Sequence, residues 1–490
     1  MNMLKLTPLV ITMVLSGCAV GPDYQTAEQT LTTKQKLVLE TEYLNSGVAG
    51  VNNTSAFSTS SAWWYQFNDE VLNRLVADAQ QQNIPLKIAA ERIKAAKAYQ
   101  NVVESFKVPT VSLGIGFSSL GLSENDPLLG PVVSSDNPLG MALVDSNQQA
   151  FHAGATIAWE LDLFGRIDQQ AKAASIRKEQ ADIFRQGLTT MITSEVIHNY
   201  LQFRGAQERK AIALAMVKDQ EATLKLVNKV VASGYGSDLD LARAKAMLAA
   251  TKSVVPQLET AENAHQQRLA ILLGDSPAQM QQRLNRAKPL PELSGIIPTG
   301  LPSNLLQRRP DIRIAEREMA AVNAELGATI ANQYPKFYLT GSPGLVAENF
   351  DDLFSSDSAA WIASVGVSWN LYDGGRGDAL IELQEARFKS SVLSYQYAVN
   401  SAIGEVETML AGYGNSHQYQ TLVSDSKSET DKAVKKAKSL YAAGLADYLT
   451  VLDAQRQQHI MQDRVIAARL QTANFAVRLN KALGGNWEVL

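Results

Sequence analysis

Four stretches of the chain alternate apolar and small polar residues with a period of two. Val111, Leu113, Ile115 and Phe117 alternate with Ser112, Gly114, Gly116 and Ser118, and Ala155, Ile157, Trp159 and Leu161 with Thr156, Ala158, Glu160 and Asp162. In the second half Phe337 and Leu339 alternate with Tyr338 and Thr340. Trp361, Ala363, Val365, Val367 and Trp369 alternate with Ile362, Ser364, Gly366, Ser368 and Asn370. Successive side chains of a strand point to opposite faces, so each stretch predicts a strand with one apolar, aromatic face and one small, polar face. The pattern fits a soluble sandwich facing a core or a barrel with lipid outside and water inside, and by itself favours the sandwich.

Past Gly165, and again past Gly374 and Gly375, the pattern changes to long runs of helix formers. Glycine at these junctions permits the abrupt change of backbone direction. From Gly165 to Gly234, and from Gly375 to Gly444, there are about 70 residues, or roughly 105 Å of helix. Gly234, Gly236 and Gly444 mark the turns that end these helices. The predicted helices before the strands (near Asp69 to Lys107) and after the turns (near Ser237 to Leu273) are each about 37 to 39 residues. Laid end to end they match one long helix, and a seven-residue spacing of Ile176, Ile183 and Ile197 in one helix and Leu241, Leu248 and Val255 in the next predicts a coiled coil. Pro256 predicts a local kink.

The chain repeats itself. "WELDLFGR" from Trp159 has a partner, "WNLYDGGR", from Trp369, 210 residues later, and the same offset relates "SGYGSDLDL" from Ser233 to "AGLADYLTV" from Ala443. Upstream the offset is 226, so the first copy carries about 16 extra residues between its two strands. The resulting division is 1–17, a signal segment; 18–65, an N-terminal segment; 66–274, repeat 1, with strands about 110–118 and 151–163; 275–302, a Pro-rich linker; 303–484, repeat 2, with strands about 336–345 and 361–371; and a tail, 485–490. The linker is punctuated by Pro277, Pro289, Pro291, Pro298 and Pro302.

The first segment narrows the setting. Lys5, the apolar run Leu9 to Leu15, and "LSGC" ending at Cys18, the single cysteine of the 490 residues, resemble a bacterial lipoprotein signal. Cys18 is then a lipidation site; elsewhere a lone cysteine reads as a small buried hydrophobe. Removing the signal takes away Lys5 and no acid, changing the net charge from −4 to −5. Neither that charge nor any Lys/Arg block favours nucleic acid. Ala19 follows the cysteine, which favours the outer membrane.

That setting reverses the sandwich preference, since four strands are few for a sandwich. The Gly/Pro/Asn/Asp/Ser-rich loop Leu120 to Gln149 and the acidic loop from Glu348 put both hairpin loops on one side, with all helices on the other. Four strands cannot close a barrel, and open edges cannot face lipid. Two chains give eight strands, whose interior fills with side chains, so three chains are the smallest conducting solution.

These residues resemble the outer membrane factors, the TolC-type exit ducts, in their NodT-like lipoprotein branch. The resemblance covers nearly all the chain after the signal: "CAVGPDY" from Cys18, "WELDLFGR", "GLPSNLLQRRPDIRIAE" from Gly300, "WNLYDGGR", "YLTVLDAQR" from Tyr448 and "LGG" from Leu483. It implies an α+β membrane protein, a homotrimer with a twelve-strand transmembrane β-barrel, four strands per chain, continued by a long α-helical coiled-coil periplasmic tunnel. It further implies an outer-membrane exit channel of a tripartite efflux system, passing drugs or other small toxic compounds. The implied partners are outer-membrane lipid, a periplasmic adaptor and an inner-membrane transporter of the resistance-nodulation-division type. The helix turns at Gly234, Gly236 and Gly444 would contact the adaptor. No cofactor is implied beyond a covalent acyl lipid on Cys18.

The family's periplasmic gate falls on Tyr441, Leu449, Asp453 and Arg456. Spacing alone gives Asp453 and Arg456 a blander reading, an i,i+3 pair on a helix surface worth about 0.2–0.5 kcal/mol. At the 210 offset Asp453 meets Arg243 and Arg456 meets Ala246, so repeat 1 does not duplicate the motif. An enzyme is the competing class, but the five histidines form no HxxxH or HExxH spacing, and there is no GxSxG or GxxxxGK[ST] motif. A duct for type I protein secretion and a structural lipoprotein remain the alternatives.

Overall fold

The computed structural model describes residues 20–22, 24, 42–48, 51–52, 62–133, 141–294, 297–300 and 302–485. Cys18 lies outside them. In chain order the strands are β1 (Val51–Asn52), β2 (Thr110–Gly121), β3 (Asn147–Leu161), β4 (Ile297–Pro298), β5 (Lys336–Ala347) and β6 (Ala359–Ser368). The helices are α1 (Glu70–Gln82), α2 (Ile84–Ser105), α3 (Gly130–Val133), α4 (Arg166–Ala232), α5 (Asp238–Leu273), α6 (Pro277–Arg283), α7 (Leu305–Arg308), α8 (Pro310–Ala331), α9 (Arg376–Ala442) and α10 (Tyr448–Ala482). Helices α4 and α9 are each 67 residues, with both ends displaced by the repeat offset.

The helix expected from Asp69 to Lys107 is two helices. Asp69 caps α1 through the amides of Val71 and Leu72 (2.8 and 3.4 Å). At Asn83 the chain breaks, because the buried Asn83 amide is committed elsewhere: Nδ2 donates to Leu272 O at 2.7 Å, and Oδ1 accepts from Leu86 N at 3.1 Å, capping α2. The first hairpin loop is also shorter than expected. β2 runs on to Gly121 and β3 starts at Asn147, with α3 in the connection.

The chain divides into two units. The first comprises residues 1–26, 95–178 and 317–392. Its centre is one antiparallel sheet in the order β2-β3-β5-β6. Val111 pairs with Ile157, which pairs with Gly341, which pairs with Ala363, so the apolar positions of four strands share one face. Among the described residues no second sheet covers it, and Leu113 remains 87% and Trp361 79% exposed. A sandwich would have buried these side chains; a sheet meant for lipid leaves them bare. Beside the sheet Val103 packs on Ala171 and Ala174, and Ile176 on Ala320 and Ala321.

The second unit comprises residues 27–94, 179–316 and 393–490. Trp64, Leu72 and Leu75 pack with Ile197 and Tyr200 of α4, Leu269 and Leu273 of α5, Met280 of α6, and Leu470 and Val477 of α10. In α4 the predicted heptad residues Ile183 and Ile197 are buried, as is Ile176 in the first unit. In α5 Leu241, Leu248 and Val255 are half-buried; the buried register three residues on is Ala244, Thr251 and Leu258. A coiled-coil seam needs two positions per heptad, and Ala and Thr are too weakly apolar to declare the second. Helix α5 runs unbroken through Pro256. No helix among the described residues is long and apolar enough to cross a membrane.

Candidate functional sites: two strand-to-helix junctions and two helical turns

In the first unit each strand pair hands over to a long helix in the same way. The indole N–H of Trp159, near the end of β3, donates to Lys107 O at 3.0 Å, and that of Trp369 donates to Gln333 O at 2.9 Å. Both carbonyls belong to the segment entering the preceding strand, so each tryptophan ties the two ends of its hairpin together. The backbone then reverses at Gly165 (φ +78°), or at Gly374 and Gly375 (φ +73° and +83°). A carboxylate caps the emerging helix: Asp162 accepts from Asp168 N at 2.7 Å, and Asp373 from Gly375 N and Gly377 N at 3.0 and 2.8 Å. Glu160 and Arg166 add a 2.8 Å ion pair in the first copy only, since Asn370 stands where Glu160 would recur.

In the second unit the two helical turns share one backbone. Gly234 (φ +79°) ends α4, with Gly234 N donating to Val231 O at 2.9 Å and Tyr235 N to Val230 O at 3.1 Å. Gly444 (φ +73°) ends α9, with Gly444 N donating to Tyr441 O at 3.0 Å and Leu445 N to Leu440 O at 2.9 Å. Left-handed backbone at this position costs a side chain roughly 1–2 kcal/mol, which glycine avoids. Tyr235 and Leu445 then stand exposed at the apex (90% and 76%). Gly236 has ordinary φ, but a Cβ there would meet Val231 Cγ2 at 2.8 Å. Ser237 caps α5 in a reciprocal box with Asp240, and Asp447 caps α10 through Thr450 N at 3.0 Å.

The gate candidates divide between inside and outside. Tyr441 is half-buried, its ring 5.8 Å from that of Tyr448, beside a cluster of Val227, Ala244, Ala437 and Val451 drawn from both repeats. Burial, and then the Asp240 carboxylate, raise the Tyr441 phenol above its ordinary value; burial, Tyr441 and Asp240 do the same to Tyr448. Leu449, Asp453 and Arg456 are exposed. No hydrogen bond or ion pair joins Asp453 or Arg456 to any described residue, so the two do not form the i,i+3 surface pair that spacing permits. Arg456 lines a groove of about 540 Å³ with Met216, Met247 and Leu258, and the one acid there, Asp463, is held by Arg209 at 2.6 Å. Sequence reasoning missed Tyr448 and the capping acids Asp162, Asp240 and Asp373. Tyr448 lies seven residues from Tyr441 across a glycine turn, a spacing that carries no signal until the turn is known to fold back.

A sheet bare on its apolar face, joined through tryptophan-tied junctions to 67-residue helices, defines a subunit of an outer-membrane channel. Residues 75–275 and 301–485 match the family model described as "Outer membrane efflux protein", and the chain belongs to that family. It is 27% identical over 493 residues to the toluene efflux pump outer membrane protein TtgI of Pseudomonas putida, covering 99% of each chain. To the probable outer membrane lipoprotein SilC of Salmonella typhimurium it is 25% identical over 485 residues, again covering 99% of each. Among solved structures, the outer-membrane channel OprN superposes with TM-score 0.86 at 30% identity, covering 96% of this chain and 100% of the other. The open state of the Neisseria gonorrhoeae MtrE channel, at 22% identity, shares the fold with TM-score 0.80, covering 96% and 99%. The protein is an outer-membrane efflux channel.

Proposed function

We propose that three copies of this chain form a duct that takes compounds from a periplasmic adaptor and an inner-membrane pump of the resistance-nodulation-division type and releases them outside the cell. The carrying observation is the sheet: β2 and β6 each pair on one side only, and the apolar face between them is exposed. An unpaired edge in hydrocarbon leaves backbone groups without partners, at several kcal/mol each. Three copies bring β6 of one chain to β2 of the next and remove every edge, giving twelve strands. The other face supports a water-filled interior, since Ser112, Gly114, Gly116 and Ser118 of β2 and Ser364, Gly366 and Ser368 of β6 are small and uncharged, and the charged residues registered with them, Glu160 of β3 and Lys336 of β5, stand near the helix end of the sheet. Such a lining selects little. Relatives named for toluene, for solvent and for cation efflux share nearly the full length of this chain, which supports a duct whose cargo is set by its pump. Native mass of the detergent-solubilised protein should correspond to three chains; a conducting monomer would refute the architecture.

Within that duct Tyr441, Leu449, Asp453 and Arg456 form the periplasmic gate. Asp453 and Arg456 are exposed and unpaired among the described residues, which supports their meeting groups of a neighbouring chain by charge-assisted hydrogen bonds. Three Asp453 carboxylates about one axis give a negative ring that prefers cations over roughly 8 Å in physiological salt. Arg456→Ser with Tyr441→Phe should raise single-channel conductance severalfold in planar bilayers, and Asp453→Asn should lower cation preference. Unchanged conductance in an assembled trimer would assign these residues to ordinary helix surface. The exposed apices Tyr235 and Leu445, beside Gly234, Gly236 and Gly444, are the adaptor contacts. Cys18 carries acyl lipid: Val20 donates its amide to Phe164 O at 3.2 Å, beside the first strand-to-helix junction, where a chain emerging from a membrane anchor would be received. Mass spectrometry of the mature N-terminus decides this.

A further inference from the structure

The turn of the second repeat is joined to the first by a buried seam whose polar groups are only partly satisfied. Tyr448, the first residue of α10, is 2% exposed, enclosed by Val227, Ala244, Ala437 and Val451, and its hydroxyl reaches no hydrogen-bond partner among the described residues. Seven residues on, Gln455 is 1% exposed; its Nε2 donates to Thr223 Oγ1 at a long 3.3 Å, and its Oε1 has no partner. Along α4 Gln220, 1% exposed, leaves its Nε2 unpaired, while the Thr223 hydroxyl turns back to Asp219 O at 2.9 Å. Gln220, Thr223 and Val227 of repeat 1 thus continue one heptad stripe, and Tyr448, Val451 and Gln455 of repeat 2 continue the other. Three polar atoms of this seam are buried and unpaired among the described residues.

A buried donor or acceptor without a partner is costly only while it stays buried. Parting α10 from α4 at the turn hydrates all three atoms, while a wholly apolar seam would resist the same motion. We propose that this seam is the sprung element of the periplasmic gate: Tyr448 and Gln455 position α10 against α4 in the closed duct and bias it towards opening. This rests on the reading of the α9–α10 turn as the gate. The two tyrosines of the turn then act with opposite sign. The Tyr441 hydroxyl, half-buried at the margin, holds the gate shut, whereas the Tyr448 hydroxyl, sealed in the cluster, weakens the closed state.

The test is Tyr448→Phe in the full-length trimer, read by single-channel conductance and by amide hydrogen exchange over residues 220–231 and 441–455. Removing an unpaired buried hydroxyl should lower the open-to-closed ratio roughly tenfold per chain and slow exchange of the turn by a similar factor. Gln455→Met should act in the same direction but less, because it also removes the bond to Thr223. Placed in the Arg456→Ser, Tyr441→Phe background, Tyr448→Phe should return conductance towards the closed level. Higher conductance or faster exchange in Tyr448→Phe would make the hydroxyl a closing contact and overturn the inference, and so would unchanged exchange. If Arg456→Ser with Tyr441→Phe fails to open the duct, the gate reading falls, yet exchange still decides the seam: slower exchange upholds it and unchanged exchange ends it.

Discussion

The two long helices are copies in length and offset, but their midsections are built on different chemistry. In the first, Arg204 is 1% exposed and donates to Tyr200 Oη at 3.0 Å, Gln207 Oε1 at 2.7 Å and Arg286 O at 2.8 Å, while Tyr200 Oη donates to Asp69 at 2.6 Å. Burial opposes the charge on Asp69, yet the Tyr200 hydroxyl and the Val71 amide hold its carboxyl below the ordinary range. In the second copy the position of Arg204 is Gly414, and that of Tyr200 is the buried Leu410. A Cβ on Gly414 would meet Val48 Cβ at 2.8 Å, so the glycine makes room for the N-terminal segment, which Glu407 grips through Leu44 N at 2.7 Å and Asn45 Nδ2 at 2.7 Å. One copy fastens the Pro-rich linker between the repeats with a buried guanidinium, and the other fastens the N-terminal segment by giving way to it. Duplication preserved what sets the backbone; the side chains that hold different neighbours diverged.

The largest effect follows from breaking the first of these arrangements. Arg204→Met leaves Tyr200 and the carbonyl of Arg286 without their buried donor and should cost about 3 kcal/mol, read as a lowered thermal unfolding midpoint. Gly414→Val, at the matching position, should cost about 1–2 kcal/mol through overpacking, with new protease sensitivity near residues 42–48. Equal losses at the two positions would mean that the copies are equivalent there.

The turns sharpen the comparison from the other side, because there the backbones agree. Gly234→Val and Gly444→Val should each cost about 1–2 kcal/mol, since both require left-handed backbone, but only Gly444→Val should also change single-channel conductance. A conductance change from both would extend the gate to repeat 1. The smallest effect is expected at the junctions. Trp159→Phe and Trp369→Phe each lose one indole hydrogen bond and keep a smaller aromatic ring, so each should lower stability by about 0.5–1.5 kcal/mol, equally within the error of a thermal midpoint.

The strands were legible because alternation is a local property: Val111 to Ser118 announces its two faces without reference to any other residue. The duplication was legible for the same reason, since "WELDLFGR" and "WNLYDGGR" each encode a strand end, a glycine reversal and a helix start. The break at Asn83 had a local signal, Pro85, which cannot donate back to Gln81 O and so belongs at a helix start; that the Asn83 amide would find Leu272 O, 189 residues away, had none. The proposed gate residues were singled out by the family resemblance, since their spacing alone reads as an ordinary helix-surface pair. The contrast between a half-buried Tyr441 and an exposed Asp453 and Arg456, unpaired among the described residues, needed the helices in place.

By itself the sequence determined the periodicities, the lengths of α4 and α9, the glycine turns and the insufficiency of four strands, since all of these rest on backbone geometry repeated along the chain. Only the tertiary structure decided which face of α4 meets α10, that Tyr448 and Gln455 lie buried with unpaired polar atoms, and that Arg204 and Gly414 hold different segments. Those outcomes depend on pairs of residues far apart in the chain, 82 positions for Arg204 and Arg286 and 232 for Thr223 and Gln455. Whether a buried polar group finds its partner is a matter of ångströms, which no spacing along the chain encodes.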